Sequence, residues 1–258
     1  MPTVPASISN ARDYRHILGV RFFAGDARAA VERGLQGGLV VVPAAPALME
    51  LDRDHDYRQA LLESDLALTD SGYMVLLWNF LMQDRVHRVS GLEYLTLLLR
   101  QPEFREPGST LWVMPSTAAL NRNMEWLKSK GYAADPEDFY VAPKYPAGSV
   151  ADPELLDLIH SRRPRHVIIG IGGGVQEKLG LYLKRHCKPV PSIHCIGAAI
   201  GFLTGDQVRI PMWADQWVLG WLFRCVSNPG RFVPRYTRAL KLAFVLWRYR
   251  DDMPDWTS

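Results

Sequence analysis

Two stretches of this sequence combine polar side chains and glycines in patterns that suit chemistry on a phosphorylated substrate. The first is TDSGYM, residues 69–74, where Asp70 and Gly72 follow an apolar run and precede a segment of helical period. A carboxylate just beyond the carboxyl end of a parallel strand is well placed to act as a general base. An Asp in this position more often caps the next helix. The residue types alone leave both roles open for Asp70.

The second stretch is GIGGGVQE, residues 170–177, in which an apolar strand runs into a glycine cluster and then a helix. Gly172, Gly173 and Gly174 let the backbone approach a ligand, and the N–H groups of a helix start attract phosphate. A tight turn that binds nothing would need the same glycines. The stretch lacks the third glycine of G-x-G-x-x-G, and no Gly-Lys-Ser/Thr follows it. A nucleotide could bind there, but neither a dinucleotide motif nor a Walker loop is present.

Basic residues that could bind a diphosphate lie in two places. Arg88 belongs to RVHRVSG, residues 85–91, and its guanidinium could hold a pyrophosphate with two hydrogen bonds. Residues 207–250 contain eight basic residues and one acid, interleaved with aromatic side chains at helical spacing. This pattern predicts two amphipathic helices, Asp215–Val226 and Pro229–Tyr249, of the kind that lie against a membrane surface. Arginines on a solvated face would give the same pattern.

Composition excludes several classes of protein. The chain has 258 residues, 48% of them hydrophobic and 22% charged, which is enough to bury a large core. Its net charge of +3 is too small to predict nucleic-acid binding. The most apolar run, Gly72–Met82, is too short to span a bilayer, and the first residues lack a secretory signal pattern. We therefore expect a cytoplasmic protein.

Short runs typical of strands alternate along the chain with longer segments of helical period. This alternation predicts an α/β fold, with a largely parallel sheet and helices on both faces, that would position these residues. We expect an α/β catalytic domain over residues 1–206 and a basic, aromatic-rich helical appendage over residues 207–258. The predicted strands are His16–Phe22, Gly38–Val42, Leu66–Thr69, Thr110–Met114, Asp138–Val141, His166–Ile171 and Ser192–Ile196. The clearest predicted helices are Thr117–Lys130, Pro153–Ser161 and Gln176–His186.

Taken in order and at their separations, these pieces resemble the WecG/TagA/CpsF family of bacterial glycosyltransferases over most of the chain. The resemblance rests on family elements of the form D-G, R-V-x-G, G-x-G-x-P-K-Q-E, G-x-x-F-D-F-x-x-G, R-A-P, E-W-x-x-R, P-x-R and R-Y. The matching positions are Asp70 with Gly72, Arg88 through Gly91, Gly170 through Glu177, Gly197 through Gly205, Arg209 through Pro211, Trp221 with Arg224, Pro229 with Arg231, and Arg235 with Tyr236.

The resemblance implies transfer of a sugar from a UDP-sugar to a polyprenyl-diphosphate-linked saccharide, with inversion and without a metal or other cofactor. The product would enter exopolysaccharide or cell-surface polymer synthesis at the inner face of the plasma membrane. Asp70 would be the catalytic base, and Gln176 would position the sugar or the acceptor. Donor-site residues would be Gly72, Arg88, Gly172, Gly173, Gly174, Glu177 and Gly197, whereas Arg209, Arg224, Arg231 and Arg235 would contact the lipid diphosphate or the membrane.

The sequence departs from the family pattern at four positions, where it has Ala44, Val175, Gly201 and Gly220. Each departure removes a polar group, so either the substrate differs or activity is lost. The donor sugar is expected to be of N-acetylmannosamine, glucose or uronic-acid type. Two alternatives stay open: a non-catalytic sugar-nucleotide-binding protein, and an unrelated nucleotide-dependent enzyme. The apolar stripe of the C-terminal helices could also form a homo-oligomer.

Overall fold

The structure is a computed structural model that describes residues 13–146, 148–197, 199–205, 230 and 240–256. Within these residues, eight strands form one sheet in the order β1-β2-β4-β3-β8-β7-β5-β6. All neighbouring strands run parallel except β1 and β2. The strands are β1 Tyr14–Ile17, β2 Val20–Phe23, β3 Gly38–Val41, β4 Leu66–Leu68, β5 Thr110–Met114, β6 Phe139–Val141, β7 His166–Ile169 and β8 Ser192–Cys195.

The predicted strand His16–Phe22 is wrong in one respect, because the chain reverses within it. Leu18 and Gly19 both have positive φ, at 52° and 72°, and join β1 to β2 as an antiparallel hairpin. Positive φ at both central residues is the geometry of a two-residue hairpin turn whose twist matches the strands. The six other predicted strands are confirmed, with ends that differ by at most two residues.

Helices lie on both faces of this sheet, as predicted. The α-helices of the described residues are α1 Ala27–Gly34, α2 Ala45–Leu48, α3 His55–Leu62, α4 Gly72–Met82, α5 Gly91–Leu98, α6 Thr117–Ser129, α7 Pro153–Arg162, α8 Val175–His186, α9 Ala199–Thr204 and α10 Leu242–Tyr249. Two short 3-10 helices span Pro102–Arg105 and Pro136–Asp138. The three predicted internal helices are confirmed to within one residue at each end.

Alternation along the strands divides the core into two layers. In β7, Val167 and Ile169 join the buried cluster under α3, α4, α7, α8 and α10, whereas Ile168 joins the cluster under α1, α5, α6 and α9. All three side chains are at most 1% exposed. A strand that is covered on both faces needs an unbroken apolar run, and HVII supplies it.

The C-terminal helix packs against the α/β core. Leu242 and Leu246 of α10 are fully buried, and α10 contacts α4. This confirms the C-terminal end of the predicted helix Pro229–Tyr249, whereas the predicted helix Asp215–Val226 and the domain boundary at residue 206 lie outside the described residues. In the part of the chain that the structure describes, no helix is both long and apolar enough to cross a membrane.

Candidate active site

The loops that carry the predicted site residues meet at the carboxyl edge of the sheet. Asp70 follows β4, the glycine turn follows β7, and Gly197 follows β8. The strand order β4-β3-β8-β7 places these three loops along one stretch of the same sheet edge. In a parallel sheet, this edge is where ligands bind. A Cβ added to Gly91 would lie 3.0 Å from Val42 Cγ1 and 3.6 Å from the carbonyl oxygen of Ile196. The start of α5 therefore packs between the loops after β3 and β8.

Asp70 does not cap α4, the helix that follows it in the chain. Ser71 caps α4 by accepting a hydrogen bond from the Met74 N–H at 3.2 Å, and Ser90 caps α5 in the same way. The Oδ1 atom of Asp70 accepts a hydrogen bond from the backbone N–H of Gly91 at 3.0 Å. Gly91 is the first residue of α5, and the positive end of a helix stabilises a carboxylate. The Asp70 carboxylate is held at one oxygen and is 27% exposed.

Arg88 holds the backbone of Asp70. Its Nε–H donates to the Asp70 carbonyl oxygen at 2.7 Å, and its guanidinium lies 3.7 Å from Asp70 Oδ1. The Thr69 hydroxyl donates to the His87 carbonyl at 2.7 Å and accepts from the Val89 N–H at 3.1 Å. These contacts join the loop after β4 to the loop before α5. Sequence reasoning missed Thr69 and Gly91, although both belong to motifs that it identified.

The glycine turn leaves open space in front of α8. Gly172 and Gly174 have φ of 112° and 92°, a conformation that favours glycine. A Cβ added to Gly172, Gly173 or Gly174 would meet no atom within 4 Å. A ligand could therefore approach this backbone closely, as the sequence predicts for a donor site. Gly72, another predicted donor-site residue, is buried as the first residue of α4.

Gln176 faces inward in this structure, and its predicted role in positioning the sugar or the acceptor stays a prediction. Its side chain is 1% exposed, and its Nε2 group donates to Glu177 Oε1 at 3.0 Å and to the Cys195 carbonyl at 3.2 Å. Its Oε1 atom accepts from the Gly197 N–H at 2.8 Å. Both amide N–H donors are thus in use within the protein. In this structure, Gln176 positions the loop after β8 and does not reach the open side of the site.

Glu177 is also buried, behind the glycine turn, and its predicted contact with the donor stays a prediction. It is fully buried, and its Oε2 atom accepts from the Gly174 N–H at 2.6 Å. Burial penalises the charged form and raises the pKa of Glu177 to about 7. The hydroxyl of Tyr57 is buried nearby without a hydrogen-bond partner among the described residues. Its pKa is raised well above the usual value by burial, and further by the charge of Glu177.

Together, these contacts form a continuous network that we call the glutamine bridge: Gly174, Gln176, Glu177, Cys195 and Gly197. It joins the turn after β7 to the loop after β8 through hydrogen bonds of 2.6–3.2 Å. Such bonds are strong where water is excluded, and each becomes costly if one partner is removed. The glutamine bridge therefore sets the relative position of two loops that border the site.

Three of the four departures from the family pattern lie among the described residues, close to these loops. Ala44 precedes α2, the first helix after β3, and contributes no side-chain cap. Val175 begins α8 with a partly exposed side chain, and Gly201 is buried within α9. Gly220, like Arg209, Arg224, Arg231 and Arg235, lies outside the described residues. No group of three or more His, Cys, Asp or Glu in the described ranges could hold a metal ion, and metal independence stays a prediction.

Comparison with known proteins identifies the family. The family model described as "Glycosyl transferase WecG/TagA/CpsF family" matches residues 15–254. The chain is also similar to an N-acetylglucosaminyldiphosphoundecaprenol N-acetyl-beta-D-mannosaminyltransferase of Bacillus spizizenii (strain W23), with 23% identity over 79% of each chain. The matched range contains Asp70, Arg88, the glycine turn and the glutamine bridge. The chain belongs to the WecG/TagA/CpsF family of glycosyltransferases.

Proposed function

We propose that this protein transfers a sugar from a UDP-sugar to a polyprenyl-diphosphate-linked saccharide, with inversion and with Asp70 as the base. The observation that carries this proposal is the difference in hydrogen bonding between the two oxygens of the Asp70 carboxylate. Its Oδ1 atom is held by the Gly91 N–H, whereas Oδ2 accepts no hydrogen bond from the described residues. One carboxylate oxygen is therefore fixed, and the other is available to a substrate hydroxyl at the carboxyl edge of the sheet.

The proposed reaction is a single displacement. Asp70 Oδ2 removes the proton of the acceptor hydroxyl while that oxygen forms a bond to the anomeric carbon of the donor sugar. The bond from the anomeric carbon to the diphosphate breaks, and UDP leaves with the bonding electron pair. Attack from the face opposite to the leaving group inverts the anomeric centre. In this proposal the protein holds no cofactor, and UDP is part of the donor substrate.

The two neighbouring parts of the site have separate roles in this proposal. The diphosphate of the donor lies at the open glycine turn near the start of α8, where helix N–H groups and the helix dipole favour negative charge. The guanidinium of Arg88 supports the Asp70 loop and adds positive charge at the edge of the site. Charges that are fixed before the reaction stabilise a departing diphosphate without further reorganisation.

The acceptor is proposed from the named relative, whose substrate is N-acetylglucosaminyldiphosphoundecaprenol. We propose an acceptor of the same type and a donor of N-acetylmannosamine, glucose or uronic-acid type. The small or apolar residues Ala44 and Val175 border the loops of the site. Because they cannot form the hydrogen bonds that polar side chains would form there, the donor preference is expected to differ from that of the relative.

We propose further that the protein contacts the inner face of the plasma membrane through α4 and α10. The helix α4 begins next to Asp70, and the Tyr73 hydroxyl donates to the Leu240 carbonyl at 3.5 Å. The outer sides of the two helices expose large apolar side chains, among them Phe80 at 74% and Trp247 at 60%. Exposed Arg248 and Arg250 lie at the end of α10. Apolar side chains beside cations are typical of segments that bind anionic lipid surfaces.

A transfer assay tests this proposal. Purified protein is incubated with a panel of labelled UDP-sugars, a short-chain polyprenyl-diphosphate N-acetylglucosamine and a metal chelator. We expect lipid-linked disaccharide and UDP to form from at least one donor, with an inverted anomeric centre in the product. If no donor is turned over, with or without added divalent cations, the catalytic proposal fails.

A further inference from the structure

A second concave surface lies at the opposite edge of the sheet from Asp70. It is a cavity of about 710 Å³ bordered by the segment before β3, by the first residues of β7 and β8 and by the last turns of α7 and α8. Ligand sites for small molecules commonly have volumes of roughly 300–1,000 Å³. We call it the basic cavity because of the residues described next. The glycosyltransferase site at the carboxyl edge does not include it.

Positively charged side chains outnumber carboxylates among the residues that line the basic cavity. Arg163 and Lys188 line it, and neither side chain makes an ion pair or hydrogen bond with another described residue. Arg165 also lines it and pairs with Glu106 at 3.1 Å. The carboxylate among the lining residues is Glu103, whose Oε1 atom lies 3.4 Å from Nε2 of His166. Two cations that pair with no other residue in the described part of the chain therefore border the cavity, with one lining carboxylate against them.

Basic residues near helix C-termini often serve merely to balance the helix dipole. Here other residues already do so: Lys184 and Arg185 in the last turn of α8 pair with Asp65 and Glu63. Arg162, the last residue of α7, pairs with Glu137 at 2.9 Å. Arg163 and Lys188 lie beyond these helix ends. Unlike these neighbours, Arg163 and Lys188 pair with no carboxylate among the described residues, so their charge is available to a ligand.

The remaining wall of the basic cavity is mostly apolar. It includes Ile159, Pro164, Pro189, Val190 and Pro191. His166 is buried at the floor, and burial lowers its pKa to about 4, so its ring is neutral at physiological pH. An apolar wall beside two cations suits a ligand with an organic part and an anionic part. Arginine in particular binds phosphate through two parallel hydrogen bonds.

We propose that the basic cavity binds a small phosphorylated molecule, whose phosphate contacts Arg163 and Lys188 and whose organic part packs on the proline-rich wall. The site is independent of the transferase site, because it lies at the other edge of the sheet and shares no residue with the loops around Asp70. Its ligand class is a phosphate ester of nucleotide size. The proposal does not depend on which sugar the enzyme transfers.

The test follows the ring signals of His160 and His186, which also line the basic cavity, by NMR during titration with UMP and, separately, with pyrophosphate. The double variant Arg163→Gln/Lys188→Gln removes both cations. The matched control Lys128→Gln/Lys130→Gln removes the same charge at the exposed end of α6, outside the cavity.

In wild type and in the control, both probes are expected to shift the two histidine signals to saturation, with UMP binding more tightly than pyrophosphate. In Arg163→Gln/Lys188→Gln, binding is expected to weaken at least about tenfold, because charge-assisted hydrogen bonds to phosphate are lost. Equal affinity in the two double variants would overturn the proposal. Histidine signals that do not move in wild type would overturn it as well.

Discussion

The backbone N–H of Gly91 donates a 3.0 Å hydrogen bond to Oδ1 of Asp70, although 21 residues separate them in sequence. The bond joins the end of β4 to the first turn of α5. It orients the carboxylate and places it at the positive end of a helix, which favours its charged form. A general base must be both oriented and ionised, so this contact is central to the proposed mechanism.

Arg88 is expected to be more sensitive to conservative substitution than its neighbours. Arg88→Lys keeps the charge but loses the Nε–H bond to the Asp70 carbonyl, so the loop that carries the base loosens. We expect kcat/KM to fall by roughly 10- to 100-fold, mainly through kcat, because misplacement of a reacting group slows the chemical step. Steady-state kinetics measure this. The control Arg85→Lys, at an exposed position of the same loop, should change kcat/KM less than twofold.

Gln176 is expected to act through structure, because both its amide hydrogens are used inside the protein. Gln176→Ala removes the acceptor of the Gly197 N–H and one hydrogen bond to the Cys195 carbonyl in a buried region. We expect a loss of about 2–4 kcal/mol in the free energy of unfolding, measured by urea denaturation. Gln59→Ala, on the partly exposed side of α3, is the control and should cost less than about 1 kcal/mol. A Gln176→Ala protein as stable as this control would contradict the positioning role.

Glu177 should make stability depend on pH in a specific direction. Its pKa is raised from about 4.5 to about 7 by burial, so the folded state binds the proton more tightly than the unfolded state. Its contribution to stability is therefore fully present below about pH 4.5 and is lost as the pH rises to about 7. Between these values, Glu177→Gln should show a more positive slope of unfolding free energy against pH than wild type. The difference is at most about 1.4 kcal/mol per pH unit, and an unchanged slope would contradict the assigned burial.

His166 should make stability depend on pH in the direction opposite to that of Glu177. Burial lowers its pKa from 6.5 to about 4, so the unfolded state binds the proton more tightly. Its contribution to stability is present above about pH 6.5 and is lost as the pH falls to about 4. His194, which lies 3.3 Å from His166 and is fully buried, has a pKa lowered for the same reason. The unfolding free energy of His166→Gln should therefore fall less than that of wild type as the pH decreases from about 6.5 to about 4. Denaturation at a series of pH values measures this.

Much of the fold could be predicted from local pattern. The run HVII predicts a buried central strand, and Asp152 followed by Pro153 marks the start of α7, where the Asp152 side chain accepts from the Leu155 N–H at 2.9 Å. These features depend on residues close together in the chain. The turn at Leu18 and Gly19 was not predicted, because leucine at positive φ has no strong local signal.

The position of Asp70 at the sheet edge was expected, but its partner was not. The contact with Gly91 depends on how α5 packs against the loops after β3 and β8, which local pattern does not reveal. The burial of Gln176 and Glu177 was missed for a related reason. Glycines indicate a turn that can bind a ligand, but they do not show which side chains at the next helix start face the sheet. Three-dimensional packing decides that, and here both side chains turn inward.

The apolar face of α4 and α10 should control binding to membranes. Phe80→Ser/Trp247→Ser removes two exposed apolar side chains without touching the buried Leu242 and Leu246. We expect co-sedimentation with vesicles of anionic phospholipid at low salt to fall at least about fivefold, because less apolar surface leaves water. The control Leu62→Ser/Val141→Ser removes exposed apolar side chains elsewhere and should bind like wild type. If both double variants bind equally well, the proposed contact face is wrong.

The central claim is that Asp70 removes the proton of the acceptor, and the direct measurement is the transfer rate of Asp70→Asn with saturating donor and acceptor. Asn keeps the size and can still accept a hydrogen bond from the Gly91 N–H, but it cannot take up a proton. We expect kcat to fall by about 100- to 10,000-fold while the unfolding midpoint and UDP affinity stay close to wild type. Asp157→Asn, at an exposed position on α7, is the control and should be fully active. A folded Asp70→Asn protein that transferred sugar at the wild-type rate would contradict the account.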